Sequence, residues 1–423
     1  MDNNMFAENA GRGIASVLHQ ECNLRMGKDY AIRGNNSNRT ITFGLHGVGT
    51  SHLDRITKAQ AKLTMAVGLP NNRLVRVAFD NRLIQLEVSK PQDLWSPVTI
   101  DGMMKHNLIT PGARAVLGLD TANQPAMIDF ADKITASVSV AGESGSGKSN
   151  TMKNILWNIA HNNTPAEAKI LILDPSKKGQ DWLDVANIPH LIHPIVTDFE
   201  EARQICYWLE QEYRRRTLHG ITAPRLYVFI DELRDLCRNY EDILERLNLV
   251  ASLGRSFGMH IIWATQYPKL KQLGTKADEL KDNSNITLVG RVSNAANAAN
   301  ALGIPDSGAE MLTGRGDFFM RQPEVSGLTR LVVALLMPKH LALLERVVSV
   351  PRLQLPLLEE ANNAVSNDYL SPRNVMVAYE TQAGMGKLKA WLGIGSDKAG
   401  KLQAFAKSMA EAAKEAGPWG NRK

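Results

Sequence analysis

The chain has 423 residues, 44% hydrophobic and 22% charged, with 49 Lys and Arg against 43 Asp and Glu for a formal charge of +6. That length exceeds a single small core and predicts two or three domains of ordinary globular composition. Cys22, Cys206 and Cys237 are odd in number and widely spaced, which excludes a disulfide framework or a cysteine metal cluster and points to a reducing compartment. Apolar runs of about 18 residues are absent, and the opening Met1-Asp2-Asn3-Asn4 lacks a basic-then-apolar leader, so the expectation is a cytoplasmic protein without membrane insertion.

Residues 1–28 are mixed polar sequence with room for a short helix and no functional signal. From about Tyr30 the pattern turns strand-like. Arg39 to Phe43 predicts one strand, and Leu74 to Phe79 with Ile84 to Val88 predicts a hairpin turning at Asp80-Asn81. Between them, Leu53, Ile56, Ala59, Ala61, Leu63 and Val67 predict one helix over 51–67. These elements define a small α+β domain over 29–130. From 131 to 340, short apolar runs alternate with helical patterns, as in a mostly parallel sheet covered by helices. Its expected strands are Ser137 to Ala141, Lys169 to Leu173, Leu226 to Ile230, His260 to Ala264, Ile286 to Val292 and Gly316 to Met320. Residues 341–423 form a C-terminal linker and a helical tail, with the last helix over Ser396 to Ala416 and Gly417-Pro418 as its stop. Residues 371–423 hold nine Lys and Arg against four Asp and Glu, nearly the whole charge excess. A phosphate backbone, a partner protein or a solvated helix face would each account for it.

The chemistry concentrates after the strand that ends at Ala141. Gly142-Glu143-Ser144-Gly145-Ser146-Gly147-Lys148-Ser149 is a complete phosphate loop, G-x-x-x-x-G-K-S, placed between a strand and an amphipathic helix. Its glycines let successive N–H groups turn inward on an anion, and the helix running through Asn150 adds its positive end. Lys148 is positioned for the β- and γ-phosphates of ATP and the Ser149 hydroxyl for Mg²⁺. The strand Leu226 to Ile230 ends in Asp231-Glu232. Asp231 suits the Mg²⁺ shell opposite Ser149, and Glu232 suits the polarisation of an attacking water. His260 to Ala264 is a third strand, ending in Thr265-Gln266. If it neighbours both motif strands, Gln266 lies near the γ-phosphate.

The ordered set of Ala141 to Ser149, Leu173-Asp174-Pro175-Ser176-Lys177-Lys178, Tyr227 to Leu233, Gly254 to His260 and Ala264 to Pro268 resembles the FtsK/SpoIIIE DNA translocases and the related HerA-type hexameric ATPases. Gly308 to Leu312 followed by Gly314-Arg315-Gly316-Asp317 is similar to the segment before the last core strand in that family. Leu74 to Pro91 with Ala115 to Asp120 resembles the β-rich domain preceding its motor. The resemblance covers roughly residues 35–340. It implies an α/β fold with a RecA-like P-loop NTPase core, preceded by the small α+β domain and followed by a helical appendage. It further implies an ATP-dependent double-stranded DNA translocase working as a homo-hexameric ring.

Such rings need an arginine delivered in trans to the γ-phosphate. Arg255 occupies the matching family position, with Arg291 and Arg315 as reserves. Lys269, Lys271, Lys276 and Lys281 follow Gln266 and are candidates for the pore or for a solvated charge run. Arg214-Arg215-Arg216 fits better as compensation at a helix C-terminus. Membrane spans and a sequence-reading winged-helix module found in many family members are not evident here, and the basic tail is a candidate handle for a recruiting protein. The alternatives are a partner-dependent packaging or conjugative coupling ATPase, a protein-secretion ATPase of the same superfamily, and a nucleotide-gated DNA-binding scaffold, the last disfavoured by Glu232.

Overall fold

Alternating and continuous apolar runs build two sheets. The computed structural model describes residues 2–25, 31–68, 75–80, 83–132, 134–135, 137–266, 275–325, 327–355 and, beyond these, 396, 399–404 and 407. The chain divides into two units, Met1–Leu353 and Gln354–Lys423. In the second unit the described residues from 396 onward are helical, in keeping with the start of the expected last helix; Phe405, Met409 and Ala413 lie outside the described residues.

The first sheet is small and antiparallel. Helix α1 (Asn3–Cys22) precedes β1 (Ala31–Asn36) and β2 (Thr40–His46), then α2 (Leu53–Lys58), α3 (Gln60–Val67), β3 (Arg76–Asp80) and β4 (Leu83–Ser89), with strands in the order β1-β2-β4-β3. The N-terminal segment is more than a short helix. Its Phe6, Ala10, Ile14, Val17 and Leu18 recur at helical spacing and pack with Ile41, Phe43, Leu45, Ile84, Leu86 and Val88 of the sheet. The single helix expected over 51–67 is broken at Ala59 into α2 and α3.

After α4 (Ile100–Lys105) come β5 (Arg114–Asp120), β6 (Pro125–Asp129), β7 (Val138–Ala141), α5 (Lys148–Asn162), β8 (Ala168–Leu173), α6 (Phe199–His219), β9 (Arg225–Ile230), α7 (Leu233–Asn239), α8 (Ile243–Leu253), β10 (Met259–Thr265), α9 (Thr275–Asp282), β11 (Ile286–Val289), α10 (Ala295–Leu302), β12 (Asp317–Arg321), β13 (Thr329–Val333) and α11 (Pro338–Leu341). The strands of this group form one sheet in the order β6-β5-β13-β12-β11-β7-β10-β9-β8. The sheet is mixed rather than mostly parallel. Pairing is parallel from β8 through β9, β10 and β7 to β11, and antiparallel from there to β6.

Two further differences from the sequence reading lie in this sheet. The hairpin β5–β6 falls inside the expected small domain, yet β5 pairs with β13 and extends the large sheet. The sequence reading placed Ala115 to Asp120 there by resemblance alone, and a strand's alternation does not say which sheet edge receives it. The other is β13, which the sequence reading lacks. It begins Thr329-Arg330, with Arg330 buried in an ion pair, and its Leu331 to Val333 open the unbroken apolar run Leu331 to Met337, which the sequence reading passed over.

Candidate functional site

Strand β7 enters the middle of the sheet, between β10 and β11, and all four of its residues are buried. The loop that follows is braced from behind by 314–316. Arg315 N donates to Gly145 O at 3.0 Å, Gly316 N to Ser146 O at 2.7 Å, and Glu143 N to Arg291 O at 2.8 Å. Gly147 shows why that position excludes side chains: its φ is 106°, and a Cβ would lie 2.7 Å from Gly316 N. Ser144 and Gly145 form the exposed tip, while Ser146 is buried. Helix α5 begins at Lys148, so the N–H groups of Lys148, Ser149 and Asn150 have no acceptor within the helix and face an anion site at its positive end. Lys148 is folded back, its ammonium donating to Gly142 O at 2.7 Å and Glu143 O at 3.3 Å. Burial pushes its pKa down, with the Glu232 carboxylate opposing. Asn150 differs from expectation in one respect: its side chain bonds Ala334 O at 3.0 Å and Leu336 N at 3.0 Å, so only its backbone N–H remains for a nucleotide.

Strand β10 lies between β7 and β9, the condition under which Gln266 was expected near the γ-phosphate. Register pairs Thr265 with Ala141 and Trp263 with Ile230, so all three strands end on the same side. The Glu232 carboxylate is buried there. It accepts from Thr265 Oγ1 at 3.0 Å and from Gln266 N at 3.2 Å, and its backbone takes a left-handed φ of 51°. Burial raises its pKa, and the bonds from Gln266 and Thr265 oppose that shift. A carboxylate held this way is an aligned proton acceptor close to the phosphate loop.

Beside it stands a group for which the sequence supplied no role. Lys177 Nζ donates to Asp231 Oδ2 and to Asp181 Oδ2, each at 2.8 Å, and Ser149 Oγ donates to the same Asp181 oxygen at 3.0 Å. Asp174, at the end of β8, takes the Lys177 N–H on Oδ1 at 3.1 Å, while its fully buried Oδ2 has no hydrogen-bond partner. Its pKa is pushed up to about 6, by burial first, with the Asp231 charge adding to that and the Lys177 bond opposing. Of the two expected Mg²⁺ partners, Asp231 already binds a cation, the Lys177 ammonium, and Ser149 is joined to that ammonium through Asp181. A set of carboxylate and hydroxyl oxygens around one positive charge is the donor chemistry Mg²⁺ requires, so these residues fit the ion. The sequence reading quoted Lys177 only as part of the Leu173 to Lys178 motif and did not single out Asp181, four residues on.

The sequence profile of the FtsK/SpoIIIE family matches residues 110–222, from β5 through the phosphate loop to the end of α6. The DNA translocase SftA of Bacillus subtilis (strain 168) is 30% identical over 264 residues, 57% of this chain and 26% of that protein. The DNA translocase FtsK of Helicobacter pylori (strain J99) is 31% identical over 236 residues, 51% of this chain and 27% of that protein. This chain therefore resembles the FtsK/SpoIIIE P-loop ATPases over residues 110–222. It spans about a quarter of the length of those relatives. Two solved structures share the fold. The cytoplasmic domain of the Thermomonospora curvata type VII secretion ATPase EccC gives a TM-score of 0.53 at 18% identity, over 62% of this chain and 36% of that one. The pCW3 conjugation coupling protein TcpA gives 0.52 at 16%, over 79% of this chain and 98% of that one.

The arginines of this chain separate by position. Arg255 sits in the 3-10 turn Gly254–Phe257 that precedes β10, at the strand end opposite its own phosphate loop. Arg291 pairs with Glu143 of its own phosphate loop, and Arg315 presents its backbone to that loop at a φ of 51°. Arg214, Arg215 and Arg216 pair with Glu210 and Glu212 within α6, so ion pairs along the helix hold the triplet, and only Arg216 of the three lies in the last turn, where dipole compensation was expected. Lys276 and Lys281 belong to α9 rather than to a loop and bond Glu245 and Asn300 O. Lys269 and Lys271 lie outside the described residues. No helix among the described residues is long and apolar enough to cross a membrane.

Proposed function

We propose that this ATPase moves double-stranded DNA, threading it through the pore of a homo-hexameric ring at the cost of ATP. The observation that carries the reading is the buried Glu232 carboxylate, held by Thr265 and Gln266 at the strand ends that flank the phosphate loop. A fixed acceptor there serves hydrolysis rather than binding alone. The relatives named DNA translocase supply the cargo.

In this reading the loop N–H groups and Lys148 hold the β- and γ-phosphates, and Ser149 and Asp231 hold Mg²⁺, which neutralises the charge that develops on the phosphates. Glu232 accepts a proton from the attacking water. Gln266, fixed through its N–H to Glu232, places its amide beside the γ-phosphate. Arg255 of a neighbouring copy completes the site, and its place far from its own phosphate loop supports a role in trans. DNA contact is phosphate-directed and independent of sequence.

The test is the steady-state ATPase rate without DNA, with single-stranded DNA and with long linear duplex, using Lys148→Ala as the blank. The expected result is stimulation specific to duplex. A Lys148-dependent rate indifferent to every DNA would transfer the reading to a coupling, packaging or protein-secretion ATPase that works only when docked on a partner.

A further inference from the structure

We infer that Lys177 is a built-in counter-ion that occupies the metal position until Mg²⁺ arrives with the nucleotide, and that Asp181 is a third anchor of that metal site. The inference rests on the ATPase reading above. Its ammonium lies 2.8 Å from both Asp231 Oδ2 and Asp181 Oδ2, and the Ser149 hydroxyl, 3.0 Å from Asp181, closes the same ring of oxygens. A second, independent observation is Asp174. Its Oδ2 is fully buried and unpartnered, with its other oxygen already bonded to the Lys177 N–H. A buried carboxylate oxygen without a donor is costly unless a positive charge stands close by.

Three carboxylates from three separate turns of chain would repel one another if no cation stood among them. Lys177 supplies that cation from within the chain. It is tethered next to Asp174 through its own backbone and reaches Asp181 four residues on. The consequence is ordering. Free metal must displace a covalently tethered competitor, whereas Mg²⁺ chelated by ATP arrives with phosphate oxygens that offer Lys177 a new anionic partner. Nucleotide and metal therefore enter together, and the empty site stays closed to stray divalent ions.

The test is Mn²⁺ binding to the purified full chain without nucleotide, followed by electron paramagnetic resonance, for wild type, Lys177→Met, Lys177→Gln and Lys177→Met/Asp181→Asn. Removing one unit of positive charge about 4 Å from the ion should tighten Mn²⁺ binding by at least about fivefold, even with full solvent screening. Adding Asp181→Asn should abolish that gain. Wild-type-like Mn²⁺ affinity in both single variants would overturn the counter-ion assignment, and a gain that survives Asp181→Asn would remove Asp181 from the site. The measurement needs neither turnover nor DNA. Failure of the ATPase reading would appear separately, as nucleotide binding that does not depend on Lys148.

Discussion

Glu232 is held in place by the chain itself, because its carboxylate accepts from Thr265 and Gln266 at the end of a neighbouring strand. If it takes the water's proton, Glu232→Gln keeps the shape and one acceptor oxygen but loses the base. Turnover should then fall by about 10²–10⁴-fold, while binding of a fluorescent ATP analogue stays near wild type. Hydrolysis at the wild-type rate would remove Glu232 from that role. At this scale the sequence was legible where a function is written contiguously: the phosphate loop and Asp231-Glu232 are each one short stretch beside an apolar strand. Lys177 and Asp181 were not legible, because their meaning arises only when β8 and β9 pair and bring the chain after Leu173 beside Asp231. Thr265 was quoted as a strand end, and its bond to Glu232 likewise depends on β10 lying beside β9.

Between elements, the small sheet is fixed to the large one by buried charge. Arg330 on β13 donates to both oxygens of Asp317 on β12, at 3.0 and 2.9 Å, and reaches Glu87 and Ser89 on β4. Arg39, on the small-sheet side, donates to Gly314 O at 2.9 Å and Arg315 O at 2.8 Å, the loop that braces the phosphate loop. The nucleotide site is thus tied to the small sheet through one short loop. Removing a single member of a buried pair leaves an uncompensated charge, so Asp317→Asn should cost about 3–5 kcal/mol in urea unfolding.

The pH dependence of that loss has a definite sign. Burial alone would raise the Asp317 pKa, but Arg330 and the bonds from Thr313 outweigh it and hold the carboxylate below its ordinary range. A depressed native pKa contributes stability above the unfolded value, near 4, and that contribution is lost as pH falls through the native one. The stability gap between wild type and Asp317→Asn should therefore be flat from about pH 7 to 5 and shrink only below about 4. A gap that closes well above the ordinary carboxylate range would mean that the pair is not what joins these elements. The sequence revealed the β3–β4 hairpin of the small sheet but not this junction, because Glu87 lies far from Asp317 and Arg330 in the chain and their pairing depends on which sheet edges meet.

For the molecule as a whole, the position of Arg255 bears on assembly. It precedes β10, whereas Thr265 ends that strand beside the phosphate loop, so the two are separated by a seven-residue strand, about 20 Å. An arginine that far from its own γ-phosphate site can reach a nucleotide only in a neighbouring copy, so the trans role proposed for it predicts a head-to-tail contact of the kind that closes rings. Arg255→Ala and Glu232→Gln should each be nearly inactive alone, the first lacking the donated arginine and the second the base. When the two proteins are mixed in equal amounts and allowed to exchange subunits, about a quarter of the interfaces join an intact Glu232 to an intact Arg255, if assembly is random and head-to-tail. Recovered ATPase activity near that fraction would place Arg255 in the neighbouring copy's site. Activity no higher than that of the separate variants, with subunit exchange verified by light scattering and labelled protein, would assign it a role confined to its own chain.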